Sequence, residues 1–409
     1  MKVKETKGIT LIALVITIVV LLILAGVVIA TLNGNDNIIK NANTAVGKYN
    51  EKVNEEQGIL DTLEEKLKEY TNGGSSNPPT PGEPETPPTT PTVDSNGLAK
   101  ENTTIKPDKN SNLQIVIPKG FAPAILQTGT TQSLPGEDGS VKEKMPASQW
   151  NKITAEDINK GIVVVDADGN EFVWIPITDL SKFARVDWED RRDLAETATE
   201  DAWWEDKTTD EYKNMVTSVT NNKGFYVARY EASANNDSTK AQSKRGATAW
   251  DCISQTEAIT YSANYNSTLH SHLMYGREWD SILNWLNGNA TIASSTKGKT
   301  KTMELEDLKT NSFSWGDYSV DSTGDAATNS GDSLNTGTSE YWKANNIYDL
   351  AGHEDEWTQE KYSPDIYGVT RGGGYGEHIM AYPAATRVNT IAIDNGGTYG
   401  DGFRFSFYL

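Results

Sequence analysis

The pattern of hydrophobic and polar positions changes several times along the chain. Residues 9–30 form an uncharged apolar run, residues 37–71 carry apolar positions at alternating spacings of three and four, and residues 72–112 show neither pattern. From residue 113 to 409, short apolar segments alternate with glycine, asparagine and aspartate. These changes predict a charged leader over residues 1–8, a membrane-spanning helix, a second helix, a linker and a globular head.

The apolar run is long enough to cross a bilayer, since it would measure roughly 32 Å as a helix. Lys2, Lys4 and Lys7 precede it. Because positive charges stay on the cytoplasmic side of a membrane, we expect the N-terminus to lie inside the cell and everything after the helix outside. The sequence therefore predicts a single-pass membrane protein with an extracellular C-terminal domain.

The second helix carries a heptad pattern that is interrupted at Glu56 and weakened by Gly47 and Gly58. Residues 39–70 would form a rod of about 48 Å. Such a rod is able to associate with another copy of the chain, to pack along a pilin-like core or to stand alone as a solvated stalk. The proline-rich linker that follows favours an extended chain of about 50 Å, which predicts that the head is held away from the membrane.

The head shows the signals of short strands and few helices. Asp168-Gly169 supplies a turn between two β-rich runs, and Ser254 with Glu257 forms a capping box at the start of a helix. A second helix ends at Asn287-Gly288, and alternation over residues 403–409 predicts a half-buried final strand. Strands outnumber helices without a βαβ alternation, so the predicted fold class is α+β.

Composition removes several classes of function. The formal net charge of −20 and the pI near 4.7 argue against a nucleic-acid partner, because phosphate binding needs a basic face. Cys252 is the single cysteine, which excludes an internal disulfide and a multi-cysteine metal site. The sequence also has no nucleophile elbow, phosphate-binding loop or zincin motif.

The leader and the apolar run resemble the N-terminus of type IV prepilins. The resemblance implies that a peptidase cleaves after Gly8 and that Ile9 becomes the new, methylated N-terminus. Those pilins usually carry glutamate at the fifth mature position, where this chain has Ala13. The resemblance implies an anchor in a bacterial cell membrane or, alternatively, a minor pilin or pseudopilin that assembles into a filament.

The head resembles the formylglycine-generating-enzyme (sulfatase-modifying-factor) family over residues 113–409. The matching segments occur in the family's order, and they are "VIPKGF", "FVWIPI", "GFYVARYEAS", "LMYGREWD", "NIYDLAGHEDEWT", "RGGGY" and "GFR". The resemblance implies a C-type-lectin-like fold with two helices and a small twisted sheet. The residues of the matched structural motifs are Glu356, Trp357, Arg371, Gly372, Gly373, Gly402, Phe403 and Arg404.

The chemistry of that family is not expected here. Its enzymes use two cysteines shortly after the glycine-rich motif, and this chain has none after Arg371. His353 replaces the asparagine of the family's calcium-supporting segment, so no metal site is predicted. We therefore expect a protein that is not an enzyme and carries no cofactor. An enzyme of the same family with altered chemistry is the remaining catalytic alternative.

The stretch between the glycine-rich turn and the final Gly-Phe-Arg has no helix or strand period. Its flat aromatic and adaptable polar side chains have the mixture that contact surfaces use, although ordinary loop residues would look similar. The predicted ligand-binding residues are Tyr375, His378, Met380, Tyr382, Asn389, Ile391, Asp394 and Tyr399. The sequence therefore predicts an adhesin-like or receptor-like protein for an extracellular protein or glycan.

This C-terminal layout also resembles the variable proteins of diversity-generating retroelements. Those elements mutate adenines, and so change asparagine codons, in the last part of a lectin-like domain just before Gly-Phe-Arg. Glu377 and Met380 do not fit such codon changes. The residues that do fit are His378, Tyr382, Asn389, Ile391 and Asp394.

Overall fold

The structure is a computed structural model. It describes residues 90–107, 112–128, 137–188, 203–294, 299–316, 335–362, 367–374, 383–390 and 401–409. The predicted leader, membrane helix and heptad helix lie outside these residues, as does the linker before residue 90. None of the helices in the described part combines the length and the apolar character that a bilayer crossing requires.

Short strands make up most of the regular structure in the described residues. They are β1 (Thr103–Ile105), β2 (Ile115–Ile117), β3 (Ala122–Thr128), β4 (Glu137–Lys144), β5 (Val163–Val165), β6 (Glu171–Pro176), β7 (Trp203–Trp204), β8 (Gly224–Ala228), β9 (Ser233–Ala234), β10 (Ala241–Gln242), β11 (Ser271–Leu273), β12 (Thr291–Ala293), β13 (Thr300–Thr302), β14 (Lys343–Ala344), β15 (Ile347–Tyr348), β16 (Asp355–Tyr362), β17 (Tyr367–Arg371), β18 (Val388–Thr390), β19 (Asp401–Phe403) and β20 (Phe405–Phe407).

Helices are fewer and mostly short. They are α1 (Ala147–Trp150), α2 (Ala155–Asn159), α3 (Asp210–Asn222), α4 (Gln255–Ala263), α5 (Gly276–Leu286), α6 (Leu305–Lys309) and α7 (Phe313–Gly316). The described strands outnumber the described helices, and no βαβ unit recurs along the described part of the chain. The α+β class predicted from the sequence is confirmed.

The largest sheet has seven strands in the order β11-β20-β8-β6-β5-β3-β4, and its paired strands are antiparallel. Successive side chains of a strand point to opposite faces. On β6, Val173 and Ile175 therefore join one hydrophobic core, whereas Phe172 and Trp174 join the other. Both faces of this sheet are covered, which explains why its central strands read as nearly continuous apolar runs.

Each core is completed by different elements. Helices α3 and α5 cover one face, and α5 contributes Trp279, Ile282, Leu283 and Leu286 to that core. The β1–β2 hairpin, helix α4 and the aromatic residues of the last strands cover the other face. The predicted helices at Ser254 and before Asn287 are thereby confirmed as α4 and α5.

The folded head begins earlier than the sequence analysis predicts. Residues 90–107 fall in the predicted linker, yet Leu98, Ala99 and Ile105 are buried in the second core. Strand β1 pairs with β2 through the register Thr104↔Val116. The sequence did not indicate this boundary. The preceding residues are rich in proline, and the apolar positions between residues 93 and 105 are few and widely spaced.

The end of the chain also differs from the prediction of one half-buried strand. The alternating segment divides at Arg404 into β19, which lies parallel to β16 in the small sheet, and β20, which lies in the large sheet. The polar positions Arg404 and Ser406 are as buried as the phenylalanines beside them. Both polar side chains are hydrogen-bonded within the protein, so they are satisfied without contact with solvent.

A buried charge pair joins the end of the chain to helix α5. The two ring nitrogens of His272 lie 2.8 Å from the His270 carbonyl oxygen and 3.0 Å from Glu278 Oε2, so both are placed to donate. The Ser406 hydroxyl lies 3.0 Å from the same Glu278 oxygen. Burial disfavours the imidazolium, but the Glu278 carboxylate outweighs that penalty and raises the pKa of His272 to about 9.

This pair predicts a pH dependence of stability. A raised pKa in the folded state means that the contribution of His272 is complete below about pH 6.5 and is lost as the pH rises through about 9. His272→Gln should therefore lower the free energy of unfolding by on the order of 3 kcal/mol near pH 6, and by much less above pH 9. Urea denaturation across this range measures the difference.

The matched control for this experiment is His270→Gln, which changes an exposed histidine two positions away. A difference between wild type and His272→Gln that stays constant from pH 6 to above pH 9 would contradict the assignment of a buried imidazolium.

Candidate functional site

Four buried charges surround the start of the C-terminal segment. Arg371 at the end of β17 lies 2.8 Å from Asp280 and 2.9 Å from Glu360. Arg387, just before β18, lies 2.5 Å from the second oxygen of Asp280 and 2.8 Å from the second oxygen of Glu360. Each arginine thus bridges both carboxylates, and we call these four residues the charge tetrad.

The tetrad is almost completely buried, since none of its side chains is more than 2% exposed to solvent. Burial opposes the ionisation of Glu360, but the guanidinium groups of Arg387 and Arg371 outweigh this and hold its pKa below the usual range. Arg185 adds a further contact to Glu360 at 3.0 Å. The Glu360 carboxylate therefore stays charged, and each arginine is held in one orientation by charge-assisted hydrogen bonds.

A short buried segment divides the predicted recognition stretch in two. Ala384 and Ala385 are in the first core, and the Trp279 indole donates to the Ala384 carbonyl at 2.9 Å. Arg371 donates to the Ala385 carbonyl, and the Ala385 amide donates to the Leu308 carbonyl. We call residues 383–387 the central anchor. The central anchor therefore divides the stretch between the glycine-rich turn and the final Gly-Phe-Arg into two segments.

The glycine-rich turn begins directly after Arg371 of the tetrad. Gly372 and Gly373 have φ values of 92° and 81°, which favour glycine. A Cβ on Gly374 would lie 3.1 Å from a carboxylate oxygen of Asp355, at the start of β16. The chain therefore leaves the sheet through a turn in which side chains are strained or crowded.

A second ion pair fixes the other end of the stretch. Arg404 lies 2.7 Å from Glu356, and it donates to the backbone oxygens of Ala228 and Tyr348. Trp357, next to Glu356, is fully buried and donates to the Ile253 carbonyl at 2.9 Å. The Glu-Trp and Gly-Phe-Arg segments thus meet around one arginine, which joins the large and small sheets.

The small sheet contains Arg371, which precedes the glycine-rich turn, and Glu356, which pairs with Arg404. Its order is β18-β17-β16-β19, with β7 also paired to β16. Glu356 lies opposite Arg371 on one side and opposite Gly402 on the other. Residues 375–382 connect β17 to the central anchor, and residues 391–400 connect β18 to β19. The first segment therefore begins on the small sheet and ends at the central anchor, whereas the second segment begins and ends on the small sheet.

His353 occupies the position where the resembled family supports calcium. Its Nδ1 contacts the carboxylate of Glu231. Burial disfavours the imidazolium, and the Glu231 carboxylate outweighs this to raise the pKa of His353 to about 10. A protonated imidazole has no lone pair to offer a cation, so the His353 side chain does not fit calcium, which takes oxygen ligands. In the part of the chain that is described, no group of three or more His, Cys, Asp or Glu residues could hold a metal ion.

Most predicted ligand-binding residues lie outside the described residues. Asn389 is the exception for its backbone, which pairs with Val369 across β17 and β18. The processing residues Gly8 and Ile9 are outside as well. The remaining residues outside the described part are Tyr375, His378, Met380, Tyr382, Ile391, Asp394 and Tyr399.

Sequence reasoning singled out only Arg371 of the tetrad and missed Asp280, Glu360 and Arg387, as well as the central anchor. The only available signal was the sequence "PAATR", in which small apolar residues and an arginine interrupt the polar stretch. Small apolar residues inside a polar loop indicate a point of close packing.

Comparison with known proteins finds matches among solved structures. No protein-family model and no curated protein matches the chain. Among solved structures, PvdO from Pseudomonas aeruginosa is 16% identical over 46% of this chain and 82% of that chain, with a TM-score of 0.27. Treponema denticola variable protein 1 is 12% identical over 75% of this chain and 99% of that chain, with a TM-score of 0.23. The function of this chain is therefore inferred from the residues of its own site.

The tetrad predicts a large stability loss when one charge is removed. Arg387→Met leaves Asp280 and Glu360 short of one cation in a dry site, so the free energy of unfolding should fall by roughly 3–5 kcal/mol. Lys160→Met, which breaks an ion pair between side chains that are 64% and 75% exposed, should change it by less than about 1 kcal/mol. Urea denaturation at neutral pH compares the two. Equal losses in the two variants would show that the tetrad is not a stabilising unit.

Proposed function

We propose that this chain is a membrane-anchored, surface-displayed binding protein. Its head is proposed to be a C-type-lectin-like domain that binds an extracellular protein or glycan through residues 375–382 and 391–400. The observation that carries the proposal is the frame around these segments. The residues that bound the first segment, Gly374 and Pro383, are buried, and the second segment runs from Thr390, paired with Gly368, to the buried Asp401. Stability can therefore come from these fixed ends, and the side chains between them are proposed to serve contact with the ligand.

The frame suits recognition because it separates stability from contact chemistry. The tetrad, the central anchor and the Arg404–Glu356 pair fix the ends of both segments. Loops on a rigid scaffold can change sequence at little cost to the fold, and this is where binding residues concentrate. The segments supply tyrosine, histidine, methionine, asparagine and aspartate, a mixture typical of contact surfaces.

The proposal is for binding rather than catalysis. The cysteine pair of the resembled enzymes is absent from this sequence, and its single cysteine, Cys252, precedes the site by more than a hundred residues. The buried charges near the site are paired with one another instead of facing a reactant. Such an arrangement positions backbone segments and leaves no free acid or base among the four tetrad residues.

Anchoring follows from the N-terminal sequence. The lysine-flanked apolar run and the prepilin-like Gly8-Ile9 junction support a helix in a bacterial cell membrane, with the rod and linker presenting the head outside. The same junction favours a minor pilin or pseudopilin as the second candidate function. Ala13, in place of the usual glutamate, supports the anchor over the filament subunit.

The binding proposal predicts that the two segments carry the affinity. In an alanine variant of the seven predicted binding residues that lie in these segments, capture by arrays of immobilised glycans and extracellular proteins should fall by at least about tenfold, because aromatic contacts dominate such interfaces. The full-length chain in mild detergent is the sample. Its melting temperature should stay near that of wild type, because the tetrad, the central anchor and the Arg404–Glu356 pair are unchanged.

An array signal that survives the alanine variant would place recognition elsewhere on the chain. A variant that no longer unfolds cooperatively would show instead that these side chains complete the core, and would contradict the proposed separation of frame and contact surface.

We further propose that the two segments are diversified, as in retroelement variable proteins. Independent isolates should then differ at codons within residues 375–382 and 389–399, whereas Ala384, Ala385 and Arg387 should stay constant. Enlarging a buried alanine would overpack the core, and losing the arginine would break the tetrad. Sequencing the last coding segment from many isolates tests this. Substitutions spread evenly over anchor and segments, or no substitutions at all, would contradict it.

A further inference from the structure

A cavity of about 580 Å³ lies among β3, β4, the helices α1 and α2, and the β14–β15 hairpin. This volume is within the range of small-molecule sites in proteins, roughly 300–1,000 Å³. None of the tetrad, the central anchor or the Arg404–Glu356 pair is among its described lining residues. The cavity is thus separate from the proposed recognition segments, and a ligand could occupy it whether or not those segments bind anything.

Two glycines in the lining allow its walls to pack closely against neighbouring side chains. A Cβ on Gly139 in β4 would lie 1.7 Å from the hydroxyl oxygen of Tyr348, so no side chain fits there while Tyr348 keeps its place. Gly161 after α2 has a φ of 83°, and a Cβ there would lie 2.8 Å from Val173. Leu126, on β3, contributes an apolar part of the lining. The walls of the cavity are therefore closely packed from behind at these two positions.

Two asparagine side chains in the lining have fixed orientations. Asn289 donates from Nδ2 to the Asn159 carbonyl at 2.8 Å, and Asn346 donates from Nδ2 to the Gly161 carbonyl at 2.6 Å. Because both amide nitrogens are engaged at the end of α2, the two Oδ1 atoms are left as acceptors. No described residue donates to either Oδ1 atom. Acceptors held in this way suit a ligand that carries several hydroxyl groups.

The charge of the lining is opposite to that of the chain. The whole sequence has 57 acidic and 37 basic residues, yet the described lining has three lysines and one aspartate. Lys160 pairs with Glu156 at the surface, and Lys343 is held in the wall by Glu340 at 2.6 Å. Lys152 follows α1 and is exposed at the cavity. It is the cation best placed to meet an incoming anion.

We propose that this cavity binds an acidic saccharide, that is, a sugar that carries both hydroxyl groups and a carboxylate. The oxygen acceptors of Asn289 and Asn346 receive hydroxyl groups, and the ammonium of Lys152 pairs with the carboxylate. Apolar side chains such as Leu126 and Val163 pack against the carbon face of the ring. Neutral sugars lack the carboxylate, and acidic peptides lack the hydroxyl groups, so both should bind more weakly.

The test uses the full-length chain in mild detergent and D-glucuronate as the probe. Saturation-transfer NMR and calorimetry should detect glucuronate binding at millimolar concentration, with glucose and a triglutamate peptide binding at least about fivefold more weakly. Lys152→Glu should weaken glucuronate binding by about tenfold or more through charge reversal. Asn289→Leu should weaken glucuronate and glucose binding alike, because it removes a hydroxyl acceptor.

Lys142→Glu is the matched control, since Lys142 is exposed on β4 and is not among the cavity residues. It should leave glucuronate binding within about twofold of wild type. All three variants change exposed side chains, and unchanged melting temperatures would verify their folding. The proposal is overturned if glucuronate shows no binding, if glucose or the peptide binds as tightly, or if Lys142→Glu weakens binding as much as Lys152→Glu.

Discussion

The structure of this head depends on keeping buried arginines paired. An ion moved from water into a protein interior loses several kcal/mol of solvation, and only close opposite charges with good hydrogen bonds offset that loss. Arg371 and Arg387 satisfy this condition by sharing Asp280 and Glu360. Since each of the four charges needs the others, the helix α5, the strands β16 and β17 and the segment before β18 must come together as one unit.

This constraint determines which parts of the C-terminal region can vary. The central anchor is fixed from two sides, by the tetrad through Arg387 and by the Trp279 indole through Ala384. Arg404 fixes the other end of the stretch, between β19 and β20, equally rigidly, because its guanidinium contacts three elements at once. The residues between these points are the ones proposed to contact a ligand. A stable frame and a changeable contact surface can therefore coexist within one short stretch of sequence.

Local patterns in the sequence predicted the elements that local interactions determine. The capping box at Ser254, the amphipathic face of α5 and the turn at Gly169 all depend on residues within a few positions of one another. The tetrad escaped prediction because its partners are distant, with 107 positions between Arg387 and Asp280. The division of the last strand at Arg404 escaped for the same reason, since Glu356 lies 48 positions away. The spacing of apolar and polar positions alone cannot distinguish a polar residue that faces solvent from one that faces a buried partner.

The same pairing of charges shapes the electrostatics of the surface. Arg229, Arg371, Arg387 and Arg404 are at most 1% exposed, so four of the chain's cations are withdrawn from the surface. Their carboxylate partners Asp280, Glu356 and Glu360 are buried with them, so the pairing leaves the acidic excess of the chain in place, and that excess repels anionic ligands at long range. Salt screens that repulsion beyond about 10 Å at 0.1 M, whereas contacts of a few Å persist. Any anion that binds this head must therefore be held by short-range contacts such as those of Lys152, and steering by the overall field does not help it.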